Sequence, residues 1–156
     1  MRIFNVAIII LFTLSINVIA GEISGVQSIT DGDTIKILSK RIRFHGIDTP
    51  EKKQICIKNS KEYRCGQEAT NALIKKINGK IVLCKVQDKL DKYKRYIGVC
   101  FLGDVDLNKW MVRNGHAVAY RRYSKDYIND ENFAKKNKIG LWSGSFIHPE
   151  KWRKLN

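Results

Sequence analysis

Four of the fifteen acidic residues crowd into one short window, as Asp31-Gly32-Asp33-Thr34 and Asp48-Thr49-Pro50-Glu51, on either side of the run Arg41-Ile42-Arg43-Phe44-His45-Gly46-Ile47. If residues 34–38 and 41–47 form a hairpin, Asp33 and Asp48 finish at the same edge of a sheet. Two carboxylates brought together repel unless a cation lies between them. A hard divalent ion, taking oxygen ligands and waters, is the natural occupant. Alone, Asp-Gly-Asp is an ordinary turn, and the dense ligand run of an EF-hand is absent. Beside Arg43 the acids mean more. A cation can neutralise nonbridging phosphate oxygens. A carboxylate can take a proton from water, and a guanidinium fork can hold charge developing on phosphorus.

The elements that must position these groups follow from periodicity. Residues 23–30, 34–38 and 41–47 read as short strands; Ile35/Ile37 and Ile42/Phe44 alternate at period two, and Asp31-Gly32 marks a tight turn. Residues 66–77 carry Ala69, Ala72, Leu73 and Ile77 on one helical face. Two more strands follow at 81–86 and 96–102. Asp106 then caps a second helix with Leu107, Trp110 and Met111 apolar at helical spacing. A short strand at 117–120, a third helix at 129–138 ending near Gly140, and a tail whose Trp142, Phe146 and Trp152 fold back complete the chain. This order predicts an α+β, mainly β chain: a five-stranded Greek-key barrel of the OB type with about three helices, the first lying between strands three and four.

The whole chain holds 29 Lys+Arg against 15 Asp+Glu, a formal +14 that favours a polyanionic partner. Met1-Arg2, the apolar run from Val6 to Leu14, and Val18-Ile19-Ala20 before Gly21 form the pattern of a secretory signal peptide cleaved after Ala20. The alternative is an uncleaved anchor. Cleavage would leave one domain, residues 21–156, periplasmic or secreted, with 28 basic and 15 acidic residues, hence +13. In an exported chain an even cysteine count points to disulfides, and no CxxC pair suggests zinc. Cys84 and Cys100 lie equally far from the polar centre of a predicted hairpin, which suits a cross-strand bridge. Cys56 and Cys65 would then close a small surface loop.

Three motifs in order, Asp31-Gly32-Asp33-Thr34, Arg43-x4-Asp48-Thr49-Pro50-Glu51 and Asp91-x-Tyr93-x-Arg95, resemble the staphylococcal nuclease (thermonuclease) family, and Gly140-Leu141-Trp142-Ser143 extends the match. The resemblance implies a Ca2+-dependent hydrolase of DNA and RNA leaving 3′-phosphate ends. It implies that Asp33 and Asp48 bind Ca2+ through carboxylates and Thr49 through its carbonyl, with Asp31 behind them. Glu51 would be the general base on a metal-associated water, and Arg43 and Arg95 would clamp the phosphate. Tyr93 would lie beside the nucleotide. Lys94 stands where the family usually has Gly, and a positive φ there would cost a lysine something, although Lys94 could add a phosphate contact. Tyr120, Arg121, Arg122 and Tyr123 interleave charge with rings as single strands require. The three histidines, His45, His116 and His148, read as structural, Trp110 and Met111 as core, and Lys135, Lys136 and Lys138 as a solvated face. A monomer with no membrane contact after cleavage and no stable protein partner is expected. The competing reading is a barrel that binds nucleic acid or protein without cleaving it.

Overall fold

β-Branched runs and left-handed turns build most of the architecture. The computed structural model describes residues 21–156, so the expected signal peptide lies outside the described residues. In chain order the elements are β1 (Gly21–Gly25), β2 (Gln27–Asp31), β3 (Thr34–Ile37), β4 (Lys40–Phe44), β5 (Ile47–Asp48), β6 (Cys56–Lys58), β7 (Lys61–Tyr63) and α1 (Cys65–Ile77). Then come β8 (Val82–Val86), β9 (Tyr96–Leu102), β10 (Val105–Asp106), α2 (Leu107–Arg113), β11 (Val118–Ala119), α3 (Ile128–Lys136), a 3-10 turn (Gly140–Ser143) and α4 (Pro149–Leu155).

The main sheet runs β1-β8-β9-β4-β3-β2, with β4 and β9 parallel and the other neighbours antiparallel. Its two edges, β1 and β2, are consecutive halves of one chain segment interrupted at Val26, so the sheet curls round into a barrel. Counting β1 and β2 as one bent strand, five strands form the wall, as expected for the OB type. β10 is a short extension hydrogen-bonded to β9. The helix count is four plus the 3-10 turn, because Pro149 at the first helical position starts α4. The first expected strand is broken at Val26, and the third ends at Phe44, with Ile47 and Asp48 pairing separately with β11.

Inside the barrel, Ile35, Ile37, Ile42, Phe44, Val82 and Cys84 meet Ala69, Leu73 and Ile77 of α1 and Leu107 and Met111 of α2. Trp110 is only partly buried against this core. The β3–β4 turn uses Leu38 and Ser39, both at positive φ (47° and 66°), because paired left-handed residues match the strand twist. Leu38 is therefore a turn residue and 75% exposed. Asn59 and Ser60 (50° and 59°) turn β6 into β7 in the same way.

Both cysteine pairs form as expected, Cys56–Cys65 and Cys84–Cys100, and Cys84 lies directly opposite Cys100 in the β8–β9 ladder. The segment between Cys56 and Cys65 is not a plain surface loop: it is the β6–β7 hairpin leading into α1, and both cysteines are buried against Val118 and Leu141. Trp142 and Phe146 pack on that cluster, rings 4.9 Å apart and edge to face.

Candidate active site

The acids converge as the hairpin geometry predicts. Asp31 ends β2, and Gly32-Asp33 make the turn into β3, where Thr34 pairs with Arg43 of β4. A side chain at Gly32 would meet Thr49 at 3.0 Å, so glycine lets the turn sit against the second acidic segment. The Thr49 N–H donates to Asp33 Oδ2 and the Thr34 hydroxyl to Asp33 Oδ1, each at 3.1 Å. Asp48 is 1% exposed and pairs with Val118 across the β5–β11 ladder.

The cation between Asp33 and Asp48 is Arg43 itself. Its Nη1 pairs with Asp33, and its Nη2 donates to Asp48 Oδ1 (3.1 Å) and to the Ile47 carbonyl (3.2 Å). Burial opposes ionisation of Asp33, but the adjacent Arg43 charge and the Thr49 N–H hold its carboxyl below the usual range. Burial, the neighbouring Asp33 charge and their hydrogen bond push Asp31 up to about 6. Burial also raises Asp48, outweighing the bonds it receives from Arg153.

Glu51 sits at the start of a tight loop. Gln54, fully buried, returns its N–H to the Glu51 carbonyl (2.7 Å) and accepts the Glu51 N–H at its Oε1 (3.2 Å). Helix α1 comes so close that a Cβ on Gly66 would meet the Glu51 carbonyl at 1.8 Å. The Glu51 carboxylate is 38% exposed and faces the site.

The expected phosphate contacts are distributed unevenly. The Arg95 Nε donates to Asp91 (2.9 Å), and its guanidinium stacks on the exposed Tyr93 ring (5.1 Å). Among the described residues it shares no ion pair or hydrogen bond with Asp33, Asp48 or Glu51. Lys94 does adopt positive φ (58°), its N–H closing the turn onto the Asp91 carbonyl (2.9 Å), while Asp91 Oδ1 accepts the Tyr93 and Arg95 N–H groups. Carboxylate capping by Asp91 thus keeps the loop shape with lysine in glycine's place. Tyr120 and Tyr123 stack edge to face at 4.8 Å. Arg121 bonds fully buried Glu131 at 2.6 Å, and Lys135 reaches the same carboxylate at 2.7 Å. Lys135 is exposed like Lys136 and Lys138, as expected of a solvated face, while its ammonium also reaches buried Glu131. Arg122 pairs with Glu150 of α4 at 3.5 Å.

Sequence reasoning missed three residues that hold the site. Arg153 of α4 donates to both Asp48 oxygens (3.0 and 2.9 Å) and to Glu51 Oε1 (2.7 Å). No spacing could reveal it across 102 residues, although Pro149-Glu150 with Arg153-Lys154 marks a helix in the tail. Gln54 also donates to the Ile147 carbonyl (2.6 Å), tying the Glu51 loop to the segment before α4. Buried Asn108 accepts the Cys100 N–H (3.1 Å) and donates to the His45 carbonyl (2.9 Å), fixing the turn that leads to Asp48.

The donor chemistry suits a hard divalent ion. Four carboxylates (Asp31, Asp33, Asp48, Glu51) face two bonded guanidiniums (Arg43, Arg153), a formal balance of −2. Among the described residues no three His, Cys, Asp or Glu side chains converge on one ion position. Two aspartates, a backbone carbonyl and waters would form the partial, water-completed shell that hard ions accept.

The barrel is of the OB type and carries an Arg-bridged acid cluster at one edge. The profile described as staphylococcal nuclease homologue matches residues 41–144, and the chain belongs to that family. An uncharacterized endonuclease of Escherichia coli O157:H7 is 34% identical over 93% of this chain and 94% of its own length. The succinoglycan biosynthesis protein ExoI of Rhizobium meliloti (strain 1021) is 35% identical over 83% of this chain and 69% of its own. The rice (Oryza sativa subsp. japonica) "Probable staphylococcal-like nuclease CAN3" is 36% identical over 78% of this chain, which spans only 30% of that longer protein.

Proposed function

We propose that this protein is an exported, Ca2+-dependent nuclease that cleaves DNA and RNA with little sequence specificity and leaves 3′-phosphate ends. Membership of the family makes the chain a phosphodiester hydrolase. The observation that carries the finer reading is the gathering of Asp33, Asp48 and Glu51 around two guanidiniums at one barrel edge. Asp33 and Asp48 would hold Ca2+ with the Thr49 carbonyl, and Asp31 would support Asp33, whose N–H it accepts at 3.2 Å. When bound, the ion supplies positive charge to nonbridging phosphate oxygens.

The chain's own groups do the rest. Glu51 takes a proton from the attacking water as the water oxygen bonds to phosphorus and the bond from phosphorus to the 5′ oxygen breaks, the departing oxygen taking a proton from solvent. Arg43, and Arg95 once released from Asp91, neutralise the phosphate. Tyr93 and Lys94 line one approach. A cavity of about 450 Å³ opens beside Asp48 between Tyr120, Arg121, Arg122, Lys151 and Lys154, and would carry the strand. Arg121 contributes charge there, but its Nη2 is engaged by Glu131 and its Nη1 by the Ala119 carbonyl. Phosphate and stacking contacts carry little base information, hence the weak specificity.

Two disulfides suit an oxidising compartment, and none of the described helices is long and apolar enough to cross a membrane. Export after cleavage at Ala20, as a monomer, completes the reading. Plasmid and RNA digestion with Ca2+, Mg2+ or EDTA tests it. Cleavage should require Ca2+ and yield 3′-phosphate ends, and Glu51→Gln should lose orders of magnitude in rate with unchanged urea stability. Cleavage that persists in EDTA, or a fully active Glu51→Gln protein, refutes it.

A further inference from the structure

Helix α4 lies wholly beyond residue 144, where the family match ends, yet it delivers a guanidinium into the acid cluster. Arg153 makes three hydrogen bonds there. Both oxygens of Asp48 accept from it (3.0 and 2.9 Å), and Glu51 Oε1 accepts at 2.7 Å. Arg43 also uses Asp48 Oδ1 (3.1 Å), so three of the roughly four acceptor positions of this buried carboxylate are taken, two of them by Arg153. The helix itself is lightly seated. Pro149 is its one buried residue and Trp152 is half-buried; polar links come from Arg122 to Glu150 at 3.5 Å and from Gln54 to the preceding Ile147 carbonyl at 2.6 Å. Arg153 is thus its principal tie to the barrel edge.

A divalent ion on Asp48 needs oxygen lone pairs that Arg153 now occupies. A guanidinium left within hydrogen-bond distance of that carboxylate would also repel the ion directly, since both are cations a few ångströms apart. Glu51 bonded to the same guanidinium has one oxygen withdrawn from any attacking water.

We propose that Arg153 is a resident cation of the active site, which competes with the divalent metal for Asp48 and occupies Glu51 until it is displaced. This rests on the metal-dependent reading above. Binding linkage is reciprocal: if docked α4 weakens metal binding, bound metal weakens the docking of α4 by the same factor. The tail beyond the family match therefore makes the site open in response to Ca2+.

Metal affinity tests this without any turnover. Ca2+ is titrated calorimetrically into metal-stripped full-length protein, wild type and Arg153→Ala, with urea stability measured to show that both are folded. Arg153→Ala should bind Ca2+ roughly tenfold more tightly, within the usual span of such couplings. Arg153→Lys, which keeps the charge but loses the fork, should fall between them. Hydrogen exchange across residues 149–156 of the wild type should quicken when Ca2+ is added. Equal or weaker Ca2+ binding by Arg153→Ala overturns the proposal; weaker binding would make Arg153 an organiser of the metal site. Slower exchange of α4 with Ca2+ overturns it too. If neither protein binds Ca2+, the metal-dependent reading fails, and the competition with it.

Discussion

Removing the Arg43 side chain should strand Asp33 far more than Asp48. In Arg43→Ala, Asp48 keeps the fork of Arg153 at 3.0 and 2.9 Å, whereas Asp33 loses the guanidinium paired with it. What remains for Asp33 is the Thr49 N–H and the Thr34 hydroxyl, both at 3.1 Å, and its hydrogen bond with the Asp31 carboxyl. Breaking a buried pair from one side costs roughly 3–5 kcal/mol, because the other charge stays behind. These surviving partners place this case at the low end, about 3 kcal/mol. Adding Asp33→Asn removes the stranded charge while keeping an oxygen for Thr49, so the double variant should recover about half the loss. The two single losses would then exceed the double by more than about 1 kcal/mol, the signature of direct coupling.

Urea unfolding in EDTA, followed by tryptophan fluorescence, reads these values from midpoints at constant slope. An Arg43→Ala loss below about 1 kcal/mol, as expected of an exposed pair, would refute the claim that Arg43 is the internal counter-ion. So would additive losses. The same experiment guards the catalytic reading, because a rate lost on Arg43→Ala cannot be assigned to a phosphate contact until the stability loss is known.

Two further outcomes follow from single sites. Lys94→Gly should raise stability by about 0.5–1 kcal/mol: relief of the left-handed penalty, about 1–2 kcal/mol, exceeds the added freedom of glycine when unfolded, about 0.5–1 kcal/mol. A lower urea midpoint would show that the lysine side chain contributes to the loop. Glu131 is buried, which opposes its ionisation, yet Arg121, Lys135 and the Ala119 N–H bring its pKa below the usual 4.5. A depressed folded pKa contributes stability above the unfolded value that is lost as pH falls through the folded value. Glu131→Gln should therefore cost about 2 kcal/mol at pH 7, with the deficit shrinking below pH 4.5. Urea titrations from pH 7 to 3 would sink this if the deficit stayed constant.

Short-range features were the legible part. A tight turn and a helix cap are written within four residues: Asp106 does accept the Lys109 N–H at 2.9 Å, and the turn signalled by Asp31-Gly32 falls one residue on, at Gly32-Asp33. The Cys84–Cys100 bridge was legible because hairpin register is counted from its centre. The β6–β7 hairpin was not, since Lys58, Lys61 and Glu62 are exposed and show no apolar alternation. Arg121 read as a strand-binding residue because its neighbours are basic and aromatic; only the fold brings fully buried Glu131 within 2.6 Å. Gln54, Asn108 and Arg153 act through contacts that no local pattern encodes. Each satisfies backbone or carboxylate groups distant in sequence, with Arg153 and Glu51 102 residues apart.

The charge pattern takes on a different meaning once the acids are placed. The chain as a whole is strongly basic, and that excess favours approach by a polyanion at long range. At the barrel edge the sign reverses, with four carboxylates against two bonded guanidiniums. A phosphate drawn in by the surface would be repelled at that edge unless further positive charge arrived, and a divalent ion exchanged for Arg153 takes the formal balance from −2 to −1. Burial raises both Asp31, to about 6, and Asp48, and the neighbouring Asp33 charge adds to each shift. Arg153 supplies one of the two guanidinium charges from a mostly exposed helix, Arg43 the other from a fixed strand. Of the two, only the one on the lightly seated helix can leave without dismantling the barrel, which is why the exchange of cations should fall on Arg153.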